Sequence, residues 1–255
     1  MRVAAIQRRC GERTAGAYLE ALRDFDEVGV TGGDDLFDAA LHSLRIASEI
    51  AADWTLLVDA DMRLYSGARA SIEAAARTSP PDVYQVRFLC DDKISGQPIF
   101  GVHLHRNRLA AAAHAWFLSQ GVRCLKSESR NIRRFMQCYD LRTLTTDVVV
   151  ASHDFGQYFR DIYRKYIVRG LRRPLRLQST LDALANRLGD PDVTAAVAGL
   201  ERSRGLAPTP ESIRHAIAPD EPYATTGLAE RQPMQRDRED DDMGWLRHSR
   251  FEEDL

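Results

Sequence analysis

A mainly apolar segment without polar alternation, Trp54 to Val58, limits the possible folds of this chain more than any other feature. A strand without alternating polar residues is typical of a parallel sheet that is covered on both faces. Strand-like segments at 2–6 and 27–31 precede it, and the segments 13–25 and 36–50, with apolar residues at helical spacing, separate the three. The order β-α-β-α-β predicts an α/β fold with an open, mostly parallel sheet flanked by helices.

Beyond residue 60 the pattern predicts a hairpin, more helices and a polar tail. Turn-forming residues from 91 to 98 join two strand-like segments, as in a hairpin. Residues 219–255 contain few aliphatic side chains and an acidic run at 237–242, which is typical of a disordered tail. The other predicted strands are 83–89, 99–105 and 148–152, and the other predicted helices are 67–77, 107–119, 131–139, 155–171, 177–188 and 193–204.

Composition excludes several classes of protein. Lys and Arg number 35 against 37 Asp and Glu, and the resulting net charge of -2 argues against a chain that binds nucleic acid along its whole length. The apolar runs are far shorter than the roughly 18 residues that cross a bilayer, and the first residues lack the apolar stretch of a signal peptide. The 4 cysteines form no Cys-x-x-Cys pair, so neither a zinc knot nor a disulfide framework is indicated. A reduced, cytoplasmic protein is predicted.

Two carboxylates, Asp59 and Asp61, follow the apolar strand directly. Ligands of an open α/β sheet bind outside the carboxyl ends of its strands, so this pair lies where a site is expected. Neighbouring acids repel each other and their burial raises their pKa, and a divalent cation removes both penalties. Oxygen ligands suit Mg²⁺ or Mn²⁺. Alternatively, Asp59 caps the strand end and Asp61 begins a turn.

The placement of this Asp-x-Asp pair, after two β-α units and before a glycine-containing turn at 63–67, resembles the donor half of GT-A-fold glycosyltransferases, particularly the family-2-like group. The resemblance covers roughly residues 2–170. It implies a Rossmann-like sheet, a nucleotide-diphosphate sugar as donor, and Mn²⁺ or Mg²⁺ as cofactor. It also implies that Asp59 contacts the ribose or the metal, and that Asp61 holds the metal that bridges the pyrophosphate.

The same resemblance predicts how the chain divides. A nucleotide-sugar-binding catalytic domain would span residues 2–175, a helical extension 176–218, and the charged, disordered tail 219–255. The sugar, the nucleotide base and the oligomeric state stay open. So does the acceptor, which is a glycan, a lipid-linked molecule or a small molecule.

A second strand, 148–152, also ends in polar residues, His153 and Asp154. The resemblance implies that His153 is a further metal ligand, and a neutral imidazole suits Mn²⁺ better than Mg²⁺. Alternatively, His153 caps the following helix or forms a hydrogen bond in the core.

A basic segment follows directly. From Phe159 to Arg176 there are seven basic residues and one acid, a local charge of +6. The segment would hold the donor pyrophosphate, with Arg164 and Lys165 as phosphate ligands, bind an anionic acceptor, or rest on the anionic inner face of a membrane. A solvated basic face on an amphipathic helix, with its aromatic residues packed inward, is the plain alternative.

Several other polar residues are candidates for the remaining roles. Direct displacement with inversion needs a base for the acceptor hydroxyl, whereas retention does not. Glu128 ranks first for this role, ahead of Asp91, Asp92 and Asp147, and Asp91 and Asp92 also suit the hairpin turn. The nucleotide base would meet residues 7–9 and Asp34 or Asp35. His103 and His105 share one face of a strand, which is expected to be exposed or to line an acceptor pocket.

Two other functions fit the same motif. Haloacid-dehalogenase-like phosphohydrolases also place Asp-x-Asp at a strand end, and there Asp59 would be the nucleophile and Asp61 the acid/base. Their motif normally lies on the first strand of the domain, whereas here two β-α units precede it. The third reading is a non-catalytic glycosyltransferase-like module that binds through the basic helix and the charged tail.

Overall fold

The computed structural model describes residues 1–9, 15–32, 36–124, 127–217 and 228–229. Within these ranges the strands are β1 (Val3–Arg9), β2 (Glu27–Gly32), β3 (Trp54–Asp59), β4 (Met62–Leu64), β5 (Val83–Asp92), β6 (Gln97–Arg106) and β7 (Arg142–His153). The helices are α1 (Ala15–Leu19), α2 (Leu36–Glu49), α3 (Ala68–Thr78), α4 (Ala110–Gln120), α5 (Ser127–Cys138), α6 (Phe159–Arg172), α7 (Leu177–Leu184), α8 (Pro191–Ser203) and α9 (Pro210–Ile217).

The described strands form one seven-stranded sheet in the order β2-β1-β3-β6-β5-β7-β4. This confirms the predicted α/β fold with an open sheet. Strand β1 runs parallel to β2 and β3, and β5 runs parallel to β7. The β3–β6, β5–β6 and β4–β7 pairs are antiparallel, so the sheet is mixed and not mostly parallel as predicted. The β3–β6 and β5–β6 pairs arise because the predicted hairpin, β5–β6, inserts between β3 and β7.

Strand β3 lacks polar alternation because both faces of the sheet are covered there, as predicted. Leu56 and Val58 lie in a cluster with Ile72 of α3 on one face. Leu57 lies with Ile6 on the opposite face, packed with residues of α2 and α4. All five of these side chains are almost wholly buried.

Some elements differ from the sequence prediction. Strand β4, three residues long, lies in a segment predicted as a turn, and α9 was not predicted. Strand β7 begins at Arg142, six residues before the predicted start. The prediction missed its first half because those residues are at most partly buried and form no apolar run. The predicted tail lies outside the described residues except for positions 228 and 229. The proposed division at residues 175 and 218 stays a prediction.

Helix α6 packs against α8 and α9, and its inward side chains include Tyr163, Tyr166 and Ile167. Its aromatic residues therefore do pack inward. This packing fixes the orientation of α6, which carries Arg164 and Lys165. None of the described helices is long and apolar enough to cross a bilayer.

Helices α6 and α8 approach closely at Gly199, and replacing it by alanine is expected to loosen this packing. A Cβ atom there would lie 2.2 Å from the carbonyl oxygen of Tyr163. Overpacking of this kind should lower the free energy of unfolding by about 1–3 kcal/mol, as measured by urea denaturation. Gly189→Ala is the matched control, because a Cβ there meets nothing within 4 Å. Equal stability of the two variants would contradict the prediction.

Candidate functional site

The register of the sheet brings polar residues from separate strands together at one edge. Arg8 at the end of β1 pairs with Asp59 at the end of β3. His153 at the end of β7 pairs with Asp92 of β5 on one side and with Met62 of β4 on the other. The carboxyl ends of the parallel strands therefore carry the charged side chains, as the topology of an open α/β sheet predicts.

Asp61, His153 and Asp154 form a group that could hold a metal ion. Each offers one ligand atom, and these atoms all lie within 4.8 Å of one another. The backbone N–H of Asp154 donates to the carbonyl oxygen of Asp61 at 3.1 Å, which ties the two segments together. Asp154 has a φ of 65°. Positive φ is uncommon for a residue other than glycine and concentrates at functional sites.

The side chain of Lys165 reaches this group from α6. Its ammonium group donates to Asp61 Oδ2, to His153 Nε2 at 2.6 Å and to Asp154 Oδ1 at 2.7 Å. An ammonium group has three N–H donors, so each of the three metal-capable residues accepts one of them. Burial would lower the pKa of Lys165, but the carboxylates of Asp154 and Asp61 outweigh it and raise that pKa. Lys165 is therefore cationic in the site.

Asp92 orients His153. His153 Nδ1 lies 2.5 Å from Asp92 Oδ1, and Asp92 is 2% exposed. Because Nδ1–H donates to this carboxylate, the lone pair of the ring is on Nε2, which lies 3.8 Å from Asp61 Oδ2. A carboxylate behind a ligating histidine is the usual means of fixing its tautomer and ring orientation. Burial would raise the pKa of Asp92, but its bond to His153 outweighs burial and lowers it. The sequence offered Asp92 as a base or a turn residue. The structure shows the turn contact, since the backbone N–H of Ser95 donates to Asp92 Oδ2 at 2.8 Å, and it also places Asp92 Oδ1 behind His153.

The donor set fits a divalent cation. Carboxylate oxygens and a neutral imidazole nitrogen are ligands that Mn²⁺ accepts, and oxygen suits Mg²⁺. Two buried atoms, Asp61 Oδ1 and Asp154 Oδ2, have no hydrogen-bond partner among the described residues. Buried carboxylate oxygens without partners are costly, and such groups call for an ion or water that completes them. Asp61, His153 and Asp154 would hold the ion.

Asp59 lies in a different set of contacts from Asp61. Arg8 donates to Asp59 Oδ1, from Nε at 2.8 Å and from Nη2 at 2.6 Å. The same guanidinium donates through Nη1 to Glu128 at the start of α5. Burial would raise the pKa of Glu128, but Arg8 outweighs it and lowers that pKa. Arg8 thus lies between two carboxylates.

These contacts change how three predictions are understood. The metal-capable group among the described residues contains Asp61 and His153 but not Asp59. Its third member is Asp154, to which the sequence analysis gave no role. Glu128, expected to be the base, is an ion-pair partner of Arg8, and this pairing favours its carboxylate form. Arg8, expected near the nucleotide base, lies within β1 and is 6% exposed. The metal role of Asp59 and the base role of Glu128 stay predictions.

The other candidates lie outside this contact group. Asp91 accepts a hydrogen bond from Tyr65 at 2.7 Å. Asp147 is exposed on β7, six positions before His153 and about 20 Å along the strand. Arg164 is half-buried next to Lys165 on α6. Asp34 and Asp35 lie outside the described residues.

His103 and His105 do not lie on an exposed strand face. His105 is 3% exposed, and its Nε2 accepts a hydrogen bond from Gln85 Nε2 at 2.9 Å. Burial lowers the pKa of His103 to about 4 and that of His105 to about 3, so both rings are neutral. The expectation of an exposed face was wrong because α5 covers this side of the hairpin, where Phe135 packs on Tyr84.

Solved structures with a similar course of the backbone include glycosyltransferases and a nucleotidyltransferase. A glycosyltransferase involved in the glycosylation of the major capsid of PBCV-1 has a TM-score of 0.44 at 11% identity, over 60% of this chain and 93% of that one. A mannosyltransferase from Pyrobaculum calidifontis, in complex with GDP-Man and Mn²⁺, has a TM-score of 0.46 at 13% identity, over 84% and 72%. The 2-C-methyl-D-erythritol 4-phosphate cytidylyltransferase from Thermus thermophilus has a TM-score of 0.42 at 14% identity, over 58% and 89%.

These likenesses concern the course of the backbone, and nothing about activity follows from them. Glycosyltransferases, the class of protein that the sequence resembles, are among them. No protein-family model and no curated protein matches the sequence.

Proposed function

We propose that this protein is a metal-dependent glycosyltransferase that moves a sugar from a nucleoside diphosphate to an acceptor. The observation that carries the proposal is the convergence of Asp61, His153 and Asp154 at the carboxyl edge of the sheet, with ligand atoms within 4.8 Å of one another. A divalent cation bound there would act as a Lewis acid that stabilises the charge developing on the departing diphosphate. Mn²⁺ or Mg²⁺ is the cofactor proposed.

The residues of the chain have distinct tasks in this reaction. Asp92 holds His153 so that Nε2 faces the cation position. Arg8 holds Asp59 at the end of the adjacent strand, where the resemblance assigns contact with the ribose. Lys165 on α6 contacts the acidic group, and Arg164 precedes it on the same helix; both would supply positive charge for phosphates. Arg8 lowers the pKa of Glu128, which makes Glu128 a weaker base, so the base for the acceptor hydroxyl stays open.

The contacts of Asp59 favour this function over phosphohydrolysis. In the phosphohydrolase alternative Asp59 would attack phosphorus, yet its Oδ1 accepts two bonds from Arg8. Hydrogen bonding to an ionised oxygen stabilises it and makes it a poorer nucleophile.

Titration calorimetry of the full chain with UDP, GDP and dTDP tests the proposal. We expect heat of binding with one of them in the presence of Mn²⁺ and far less in its absence. A panel of sugar nucleotides assayed for slow metal-dependent hydrolysis would then identify the donor. A chain that binds none of the three with Mn²⁺ would be the non-catalytic module, and hydrolysis of a generic phosphomonoester that is lost in Asp59→Asn would indicate the phosphohydrolase.

A further inference from the structure

Lys165 occupies the centre of the site that the proposed cation would use. We propose that Lys165 is an internal counter-ion that gives up its place to a divalent cation, and that its released ammonium group then pairs with phosphate oxygens of the nucleotide. The inference rests on the proposed function and adds to it a coupling between the cation and the nucleotide.

The single lone pair of the His153 ring makes the exchange necessary. A neutral imidazole has one N–H and one lone pair. The N–H, at Nδ1, donates to Asp92, and the lone pair, at Nε2, accepts from Lys165 at 2.6 Å. His153 therefore ligates a cation only when Lys165 leaves Nε2. The carboxylates of Asp61 and Asp154 could contact Lys165 and the divalent cation at the same time, but the imidazole of His153 cannot.

The charges of the site indicate that Lys165 is a replaceable partner. His153 counts as neutral here, because its Nε2 accepts a hydrogen bond from Lys165. The carboxylates of Asp61, Asp92 and Asp154 then face two cations among the described residues, Lys165 and Arg169. One negative charge is left over. With Lys165 in place, Asp61 Oδ1 and Asp154 Oδ2 still have no hydrogen-bond partner among the described residues. A doubly charged ion that accepts more ligands would satisfy both deficits.

The side chain of Lys165 also has a way out of the site. It is 29% exposed, whereas the side chains of Asp61 and Asp154 are 10% and 0% exposed. Its backbone lies on α6, which the packing against α8 holds in place, so the movement needs only rotations of a flexible four-carbon stem. Once the ammonium group of Lys165 has left the site, all three of its N–H donors are available to a diphosphate. Cation and nucleotide should then bind more tightly together than either does alone.

Mn²⁺ binding to Lys165→Met, measured by the electron paramagnetic resonance signal of the free ion and without nucleotide, tests the exchange. Removing the competitor should tighten Mn²⁺ binding by about tenfold or more. Lys93→Met is the matched control, because Lys93 is 27% exposed and pairs with Asp190 at 2.8 Å. That variant should bind Mn²⁺ like the unmodified chain. A Lys165→Met protein that binds Mn²⁺ no better than the unmodified chain, or not at all, overturns the proposal.

A second measurement uses the unmodified chain and does not depend on how a variant folds. The sequence has three lysines, Lys93, Lys126 and Lys165, so amine labelling followed by mass spectrometry resolves each one. Mn²⁺ should raise the labelling of Lys165 relative to Lys93, and a bound nucleoside diphosphate should lower it again. Labelling of Lys165 that Mn²⁺ leaves unchanged or lowers overturns the exchange.

The labelling experiment also separates this inference from the proposed function. Mn²⁺-enhanced labelling of Lys165 without binding of UDP, GDP or dTDP supports the exchange and overturns the nucleotide function. Mn²⁺-dependent nucleotide binding with unchanged labelling of Lys165 supports the function and overturns the exchange.

Discussion

Asp61→Ala is expected to abolish the metal-dependent part of nucleotide binding while the protein stays folded. The substitution removes one of three ligand groups and leaves Lys165 bonded to His153 and Asp154, so the remaining site is both smaller and more positive. Loss of an outer partner of a metal site costs about 10–100-fold in affinity, so loss of a direct ligand should cost more than about 100-fold. Mn²⁺ titration and calorimetry with the nucleotide measure the loss, and circular dichroism checks the fold.

Asp59→Ala is the control that separates the two members of the Asp-x-Asp pair. Asp59 bonds to Arg8 and is absent from the metal-capable group, so this variant should retain most of its Mn²⁺ affinity. The family resemblance would predict a loss for Asp61→Ala, and for Asp59→Ala too if Asp59 contacted the metal and not the ribose. Mn²⁺ affinity of Asp61→Ala near that of the unmodified chain would show that the cation site has been placed wrongly.

The sequence predicts the framework of the site because the framework is local. Each strand end that carries a functional residue follows an apolar run, as Asp59 follows β3 and His153 follows β7. The period of apolar residues and the turn formers that bound them identify these elements without knowledge of the rest of the chain. The same reasoning misses β4, because three residues are too few to show a period.

The contacts within the site could not be predicted in the same way. Lys165 and Asp61 are 104 positions apart, and Arg8 and Glu128 are 120 apart. Which of the basic residues of α6 turns toward the acids depends on the packing of that helix against α8 and α9. Asp154 was visible beside His153, but its role depends on the left-handed backbone conformation that follows β7.

Arg8→Met is expected to lower the free energy of unfolding by about 3 kcal/mol or more. The guanidinium of Arg8 is 7% exposed and neutralises two carboxylates, of which Glu128 is 18% exposed. Methionine fills similar space without charge, so Glu128 would be left buried and unpaired. Truncating one partner of a buried ion pair costs about 3–5 kcal/mol for this reason, and the 38% exposure of Asp59 places the expected value at the lower end. Urea denaturation at neutral pH measures it.

Two further variants show whether the cost comes from the unpaired acid. Arg142→Met breaks an ion pair with Asp82 in which both side chains are about half exposed, at 53% and 50%, and pairs of this kind contribute only about 0–1 kcal/mol. Arg8→Met combined with Glu128→Gln should recover a large part of the lost stability, because the double variant no longer buries an uncompensated charge. If Arg8→Met costs no more than Arg142→Met, or if Glu128→Gln restores nothing, then the ion pair of Arg8 with Glu128 does not hold α5 against the carboxyl edge of the sheet.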